Sequence, residues 1–364
     1  MINNLLVIFL VGSLGLLSFI HLSDPWKINK KGNLCFGIFL FFWASFWIDE
    51  IIEITSNGQL PESWNLLVRS IQILITPLLY FTIIFYSNPF YRFRKRDLIH
   101  LAIPLIYAFC LYALFNNPTN SSWLTLIVIS IISFQALFYV SISYLKIRKH
   151  KRLLHQITSN NQGRDLIWLE YIILQIFITS IIVVIANIFF KTERPGLLIN
   201  GINVMAVYLI AYFSLRQKEI FPIKKGREKE LDYLSHDDDE QETSRRKLIS
   251  DTELESIKTK LISVMKNEQP YLDSELNLMK LADLVGITPH QLSYTINNGF
   301  DLNFFQFVNQ YRIEKAKELL NDDSNDYTIL AIAFESGFNS KTSFNTTFKK
   351  LTHQTPSEFK KSNH

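Results

Sequence analysis

Apolar residues crowd the first 215 positions of this chain, and charged residues take over afterwards. In the first part they form runs of about 20, the length a helix needs to cross the hydrocarbon core of a bilayer. The runs predict seven spans, at about 2–22, 33–52, 66–87, 98–115, 122–145, 167–190 and 197–215. The first run could pass for a secretory signal. It lacks a basic leading segment and six more runs come after it, so it reads as a membrane helix. From 216 to 252 the chain carries KKGREKE, HDDDE and SRRK in turn. Such a segment cannot bury a core, and its acidic run Asp237–Glu240 reads as part of a solvated linker.

Past residue 253 the runs give way to short stripes at helical spacing. Leu254, Ile257, Leu261 and Val264 share one face, which either packs on the helices downstream or pairs with a second chain. Leu278, Leu281, Ala282 and Val285 form the next stripe. Gly286 ends it, where a left-handed residue stops a helix at low cost. Ile287 re-enters the core, Thr288 is a good N-cap, and Pro289 takes the first helical position. Leu292 and Ile296 then face inward. The design recurs downstream: Ile329, Ile332 and Ala333, a turn at Gly337, Phe338 in the core, Ser340 as cap, and Phe344 and Phe348 buried. Between the two lies one long helix, with Phe304, Phe307, Val308, Tyr311, Ala316, Leu319 and Leu320 on its apolar side. Two helix-turn-helix units joined by a linker helix are therefore predicted, and the fold class is all-α.

The blocks RIEKAKELL, AIAFESGFNSKTSFNTTFKK and TPSEFKK resemble, in order and spacing, the AraC-type DNA-binding domain. The resemblance covers roughly Tyr271 to Lys361 and nothing upstream of the linker. It implies that the second helix of each unit enters one of two successive major grooves on one face of double-stranded DNA. The base readers then lie opposite the apolar faces: His290, Gln291, Ser293 and Tyr294 in the first unit, and Lys341, Thr342, Asn345 and Thr346 in the second. Amides, hydroxyls and cations suit base edges, although each is also an ordinary solvated side chain. Lys349 and Lys350, with Lys341, Lys360 and Lys361, offer a local positive face. Tyr294 and Thr346 stand where family members commonly carry arginine, so a bidentate guanine contact is lost there. Asp301 and His353 replace usual glycines, and Asp tolerates a left-handed backbone.

Composition and charge sharpen this picture. The chain is 48% hydrophobic and holds 29 Phe, which suits a chain with one part in lipid and one in water. From Glu255 onward acidic and basic residues nearly balance, so a strong overall counterion-release footprint is absent. The loop cations fall on alternate sides. Lys27, Lys30, Lys31, Arg92, Arg94, Lys95, Arg96, Lys146, Arg148, Lys149, Lys151, Arg152 and Arg164 share one side, and Lys191 and Arg194 the other. The positive-inside rule then puts the N-terminus outside and the C-terminal domain in the cytoplasm, the side where DNA is.

Chemistry among the spans is sparse. Asp49, Glu50 and Glu53 close the second span, Arg69 lies near the start of the third, and Trp43, Trp47 and Trp64 are nearby. These read either as an outward pocket for a cationic or polar ligand, or as an interfacial belt with solvated carboxylates; the belt is the plainer reading. Gln72, Gln135, Gln175, Asn187 and Asn203 read as hydrogen-bonding glue between helices. Cys35 and Cys110 fall in apolar spans, which suggests neither a disulfide framework nor a metal site. The last two spans hold no lysine for a retinal Schiff base, and no HExxH or GxSxG motif occurs. No cofactor is expected, and no feature points to an enzyme.

The sequence thus reads as a sensor or anchor of seven spans over 1–215, a linker over 216–252, and an AraC-like domain over 253–364. The expected location is a bacterial inner membrane and the expected partners are DNA and the bilayer, with a homodimer and a signal ligand or partner membrane protein open. The competing reading is a receptor or transporter whose degenerate helix-turn-helix domain binds a partner protein.

Overall fold

The structure is a computed structural model that describes residues 1–24, 29–56, 58–89, 91–116, 122–160, 166–189, 196–217, 249–322 and 326–363. Most of the linker, including Asp237–Glu240, and the loop cations Lys27, Arg164, Lys191 and Arg194 lie outside the described residues. The described secondary structure is helical, with a lone backbone bridge between Thr158 and Asn277. Two compact units emerge: Met1–Lys149 with Leu166–Pro222, and His150–Asp165 with Ile223–His364.

The first unit contains α1 (Ile2–Ser23), α2 (Lys30–Ala44), α3 (Ile48–Ser56), α4 (Glu62–Gln72), α5 (Ile75–Ser87), α6 (Ala102–Asn116), most of α7 (Ser122–Ile157), α8 (Ile167–Phe189) and α9 (Leu197–Leu215). Among the described residues, six helical segments are long and apolar enough to cross a membrane, and Ile167–Thr179 at the start of α8 is a shorter apolar stretch. At about 1.5 Å per residue, the 22 residues of α1 span about 33 Å, close to the ~30 Å hydrocarbon thickness. Large apolar side chains such as Phe9, Phe19, Phe41, Phe109, Phe134 and Met205 stay exposed on the helix faces. In water such a surface would aggregate; against lipid tails it is at rest.

The helix count departs from the even runs of the sequence, because three segments are interrupted. The second bends through a 3₁₀ turn at Ser45–Trp47, where the Ser45 hydroxyl donates back to the Phe42 carbonyl at 2.6 Å. The third breaks between α4 and α5. Pro77 has no N–H to give the carbonyl four residues earlier, that of Ile73. Gln135 Nε2 donates to this orphaned carbonyl at 2.7 Å, and Gln72 Nε2 reaches the Ser45 carbonyl at 3.1 Å. Freed backbone groups among apolar helices persist where side chains re-satisfy them. The fourth begins as a 3₁₀ stretch, Lys95–Leu101.

Polar side chains join the other helices as well. Ser18 donates to the Gly37 carbonyl at 2.7 Å where α1 crosses α2. His21 hydrogen-bonds Asn33 at 3.2 Å and Ser214 at 3.3 Å, tying α1 to α2 and α9. Gln175 donates to Asn203 at 3.3 Å between α8 and α9. Between helices that are apolar on most of their faces, such bonds and close packing set the partners.

The second unit comprises α10 (Asp251–Asn267), α11 (Leu278–Val285), α12 (Pro289–Phe300), α13 (Phe304–Leu320), α14 (Ile329–Glu335), α15 (Lys341–Thr352) and α16 (Pro356–Asn363). Residues 150–160, the last turns of α7 and the chain just after them, belong to this unit. In α10, Ile257, Leu261, Val264 and Met265 are buried and the helix packs on α11 and α12, so its apolar stripe is used inside this unit.

Candidate nucleic-acid interface

The two helix-turn-helix units are built by the same local rules. In the first, Asn277 caps α11 by accepting from the Lys280 N–H at 2.9 Å. Gly286 turns the chain at φ 71°, and the Ile287 N–H returns to the Ala282 carbonyl at 3.1 Å. In the second, Thr328 caps α14, Gly337 turns at φ 87°, and the Phe338 N–H returns to the Ala333 carbonyl at 3.0 Å. Ile287 and Phe338 are thereby pulled inward at matching points. Thr288 and Gln291 then open α12 with a reciprocal capping box, and Ser340 caps α15. Asp301 at φ 55° and His353 at φ 63° end these helices in the left-handed region, as the sequence suggests.

Behind the second unit lies one apolar cluster. Ile313, Ala316 and Leu320 of α13 meet Ile332, Ala333, Phe338, Phe344 and Phe348. Phe338, Phe344, Phe348 and Phe359 continue as a chain of edge-on rings 5.2–5.5 Å apart. This packing fixes which face of α15 points away from the core.

The reader positions differ between the two units. On α15, Lys341, Thr342, Thr346, Lys349 and Lys350 are exposed. Among the described residues, no carboxylate lies within salt-bridge distance of Lys341, Lys349 or Lys350. Lys258, Lys280, Lys315 and Lys317, by contrast, each meet a carboxylate at 2.7–3.0 Å. Asn345 is half-buried, and its Oδ1 has no hydrogen-bond partner among the described residues. On α12, His290, Gln291, Ser293 and Tyr294 are all half-buried. Gln291 is doubly engaged, in the capping box with Thr288 and with Glu253 of α10 at 3.3 Å. Helix α10 thus covers part of the first recognition helix; Lys258 also lies over the Phe300 ring.

At the candidate outer site, Glu50 is buried, Asp49 half-buried, and Glu53 and Arg69 exposed. Trp43 and Trp47 are buried while Trp64 is 59% exposed. Trp47 donates to Asn200 at 2.8 Å, and Asn200 to Asn3 at 2.9 Å, so this tryptophan ties helices together.

Sequence reasoning assigned no role to Arg312, yet it is the hub of the second unit. It is 1% exposed on α13. Its Nε donates to the Tyr271 carbonyl at 2.7 Å and its Nη2 to the Asp273 carbonyl at 2.8 Å. The guanidinium sits 5.7 Å from the Phe338 ring centroid. Burial pushes its pKa down to about 10, opposed by Asp273 and Glu275, so it remains a cation at neutral pH. Nearby, burial pushes the Asp273 carboxyl up. The hydrogen bonds from Lys280 and the Glu275 amide, with the charges of Lys280 and Arg312, outweigh this and hold it below its usual range. The signal for the hub in the sequence was an arginine, with Asn309 one turn before it, on an otherwise apolar helix face.

Residues 281–362 match the family described as "Helix-turn-helix domain". Uncharacterized HTH-type transcriptional regulators of Staphylococcus aureus, from strains COL, MSSA476 and N315, are each 38% identical to this chain over 90 residues. The matched stretch is 25% of this chain and 12% of each relative, so the chain spans about an eighth of the length of the curated relatives it matches. No solved structure matches the chain. The C-terminal part is an AraC-type helix-turn-helix domain, homologous to that of transcriptional regulators, and the helices before it are apolar enough for membrane spans.

Proposed function

We propose that this protein is a membrane-embedded transcription regulator that reads double-stranded DNA with α12 and α15 in successive major grooves. The observation that carries the reading is the repeated unit: one turn geometry twice, with a row of exposed hydroxyls and of lysines that lie outside salt-bridge distance of any described carboxylate on α15. Lys341, Thr342, Asn345 and Thr346 are assigned to base edges there, and His290, Gln291, Ser293 and Tyr294 on α12. Lys349 and Lys350 are assigned to phosphates. The apolar residues 1–215 anchor the protein in a bacterial inner membrane, N-terminus outside, with the linker 216–252 and the domain 253–364 in the cytoplasm. A signal ligand at Asp49, Glu50, Glu53 and Arg69, or a partner membrane protein, shifts the bundle, and a homodimer joins two weak sites into a stronger one.

The test uses the full chain in lipid nanodiscs to select sites from random DNA. Two short blocks about one helical turn apart are expected. Lys341→Ala with Asn345→Ala should abolish the preference for one block. No enrichment from a folded chain would refute DNA reading and favour a partner-protein role for the half-covered face of α12.

A further inference from the structure

The Arg312 hub is completed by a piece of chain from far upstream. The last residues of α7 and those just after it, Leu153 to Asn160, pack into the second unit. Leu153, Leu154, Ile157, Thr158, Ser159 and Asn160 are all buried. Ser159 is the plug. Its N–H and hydroxyl both donate to the Leu276 carbonyl, at 3.3 and 2.7 Å. Its own carbonyl accepts from Arg312 Nη1 at 3.2 Å and Asn309 Nδ2 at 3.4 Å, and its Oγ from Arg312 Nη2 at 3.0 Å. Beside it, Thr158 pairs antiparallel with Asn277, the cap of the first helix-turn-helix unit. One turn earlier, the His155 ring stands edge-on to Phe305 of the linker helix at 4.9 Å.

This segment therefore touches the first unit and the linker helix directly, and reaches the second unit through Arg312. Leu276 and Asn277 lead into the first unit. Asn309 and Arg312 belong to the linker helix. Arg312 and the Tyr271 carbonyl lie directly against Gly337, the turn of the second unit. In sequence the segment lies between two apolar helices. An axial slip of α7 by one residue moves it about 1.5 Å, enough to break hydrogen bonds of this length.

We infer that Leu153–Asn160 is a docking strap for the double helix-turn-helix, and that its docking fixes the two recognition helices at the spacing needed to engage DNA together. The inference rests on the DNA-reading function proposed above. With the strap seated, Arg312 is locked between the first unit, the linker helix and the second turn. With it withdrawn, Arg312 keeps Tyr271, Asp273 and Asn309 but loses its bonds to Ser159, and each unit still folds around its own apolar core.

The experiment uses the full chain in nanodiscs with Cys35 and Cys110 replaced by Ala. Thr158→Cys with Asn277→Cys places two thiols on directly opposed backbone positions, a geometry that accepts a disulfide. Mild oxidation is expected to cross-link most molecules and leave affinity for a two-block DNA site unchanged. Ser159→Trp, which cannot seat, should weaken binding to that site at least tenfold while binding to a single block stays within twofold. Failure of the thiols to cross-link overturns docking, whether or not the chain binds DNA. Cross-linking with an unchanged two-block affinity in Ser159→Trp overturns its role in spacing. A Thr158→Cys/Asn277→Cys chain that cross-links while neither it nor the wild-type chain binds DNA refutes the DNA-reading function, and the spacing role with it, and affirms the docking.

Discussion

Gly337 and Gly286 hold equivalent places in the two units, yet the same substitution should cost very different amounts. Both have a left-handed backbone, at φ 87° and 71°, which costs an L-residue about 1–2 kcal/mol. At Gly286 that is nearly the whole penalty, because the closest atom to a new Cβ is the flexible Lys260 Nζ at 3.4 Å. At Gly337 a Cβ would lie 2.3 Å from the Tyr271 carbonyl oxygen, 2.9 Å from Leu272 Cα and 3.1 Å from Arg312 Nε. Two of these are backbone, and overpacking of this kind adds about 1–3 kcal/mol. Retreat of the Tyr271 carbonyl also breaks its bond to Arg312, a charged hydrogen bond worth about 1.5–3 kcal/mol. Gly337→Ala should therefore exceed Gly286→Ala by about 2.5–6 kcal/mol, a large part of a typical domain stability of about 5–15 kcal/mol. All six tryptophans precede the domain, so their fluorescence would not report on it. Hydrogen exchange of the α13 and α15 amides in the full chain reads the opening free energy directly. Equal loss of protection in the two variants would refute the crowding argument.

Three further outcomes are expected from the geometry. Gln135→Leu should leave the Ile73 carbonyl without its donor and lower the heat resistance of the apolar unit in detergent, by about 1 kcal/mol. Adding Pro77→Ala, which restores a backbone N–H, should recover most of that loss; no recovery would mean that Gln135 acts elsewhere. Lys349→Ala or Lys350→Ala should each reduce the salt slope of DNA binding by about one, with block preference intact; a changed preference would make these lysines base readers. Asp273 has a depressed folded pKa, so its contribution is fully present above the ordinary aspartate value, about 3.9, and is lost as pH falls through the folded value. Lys280→Met removes the main opposing cation and should raise the pH at which α11 loses exchange protection in acid; an unchanged acid midpoint would rule out this pair as a stabiliser.

What the sequence disclosed was whatever short-range chemistry decides. Thr288-Pro289, Ser340, Gly286 and Gly337 announced their helix ends because caps and left-handed turns depend on one or two neighbours. Asp301 and His353 filled glycine positions and still turned left-handed. The interruptions at Ser45 and Ile73 did not show, because hydropathy averages over a window and ignores one missing N–H, although Pro77 was in plain view. The stripe on α10 left two uses open, and its burial against α11 and α12 shows which one this unit makes of it. Half-burial of His290, Gln291, Ser293 and Tyr294 was invisible for the same reason, since it depends on where Glu253 and Lys258 of α10 arrive. Nothing local to Ser159 marks it as a ligand of Arg312.

The separation of 153 positions from Ser159 to Arg312 also sets a clock. At about 5–20 residues per second, a ribosome needs about 8–30 s to travel from one to the other, and α8 and α9 are made in between. The piece that completes the hub is thus synthesised first and waits for the helix that receives it. The domain can finish folding only after both apolar helices have emerged, so its last step of assembly waits on the synthesis of a part of the chain that lies outside it.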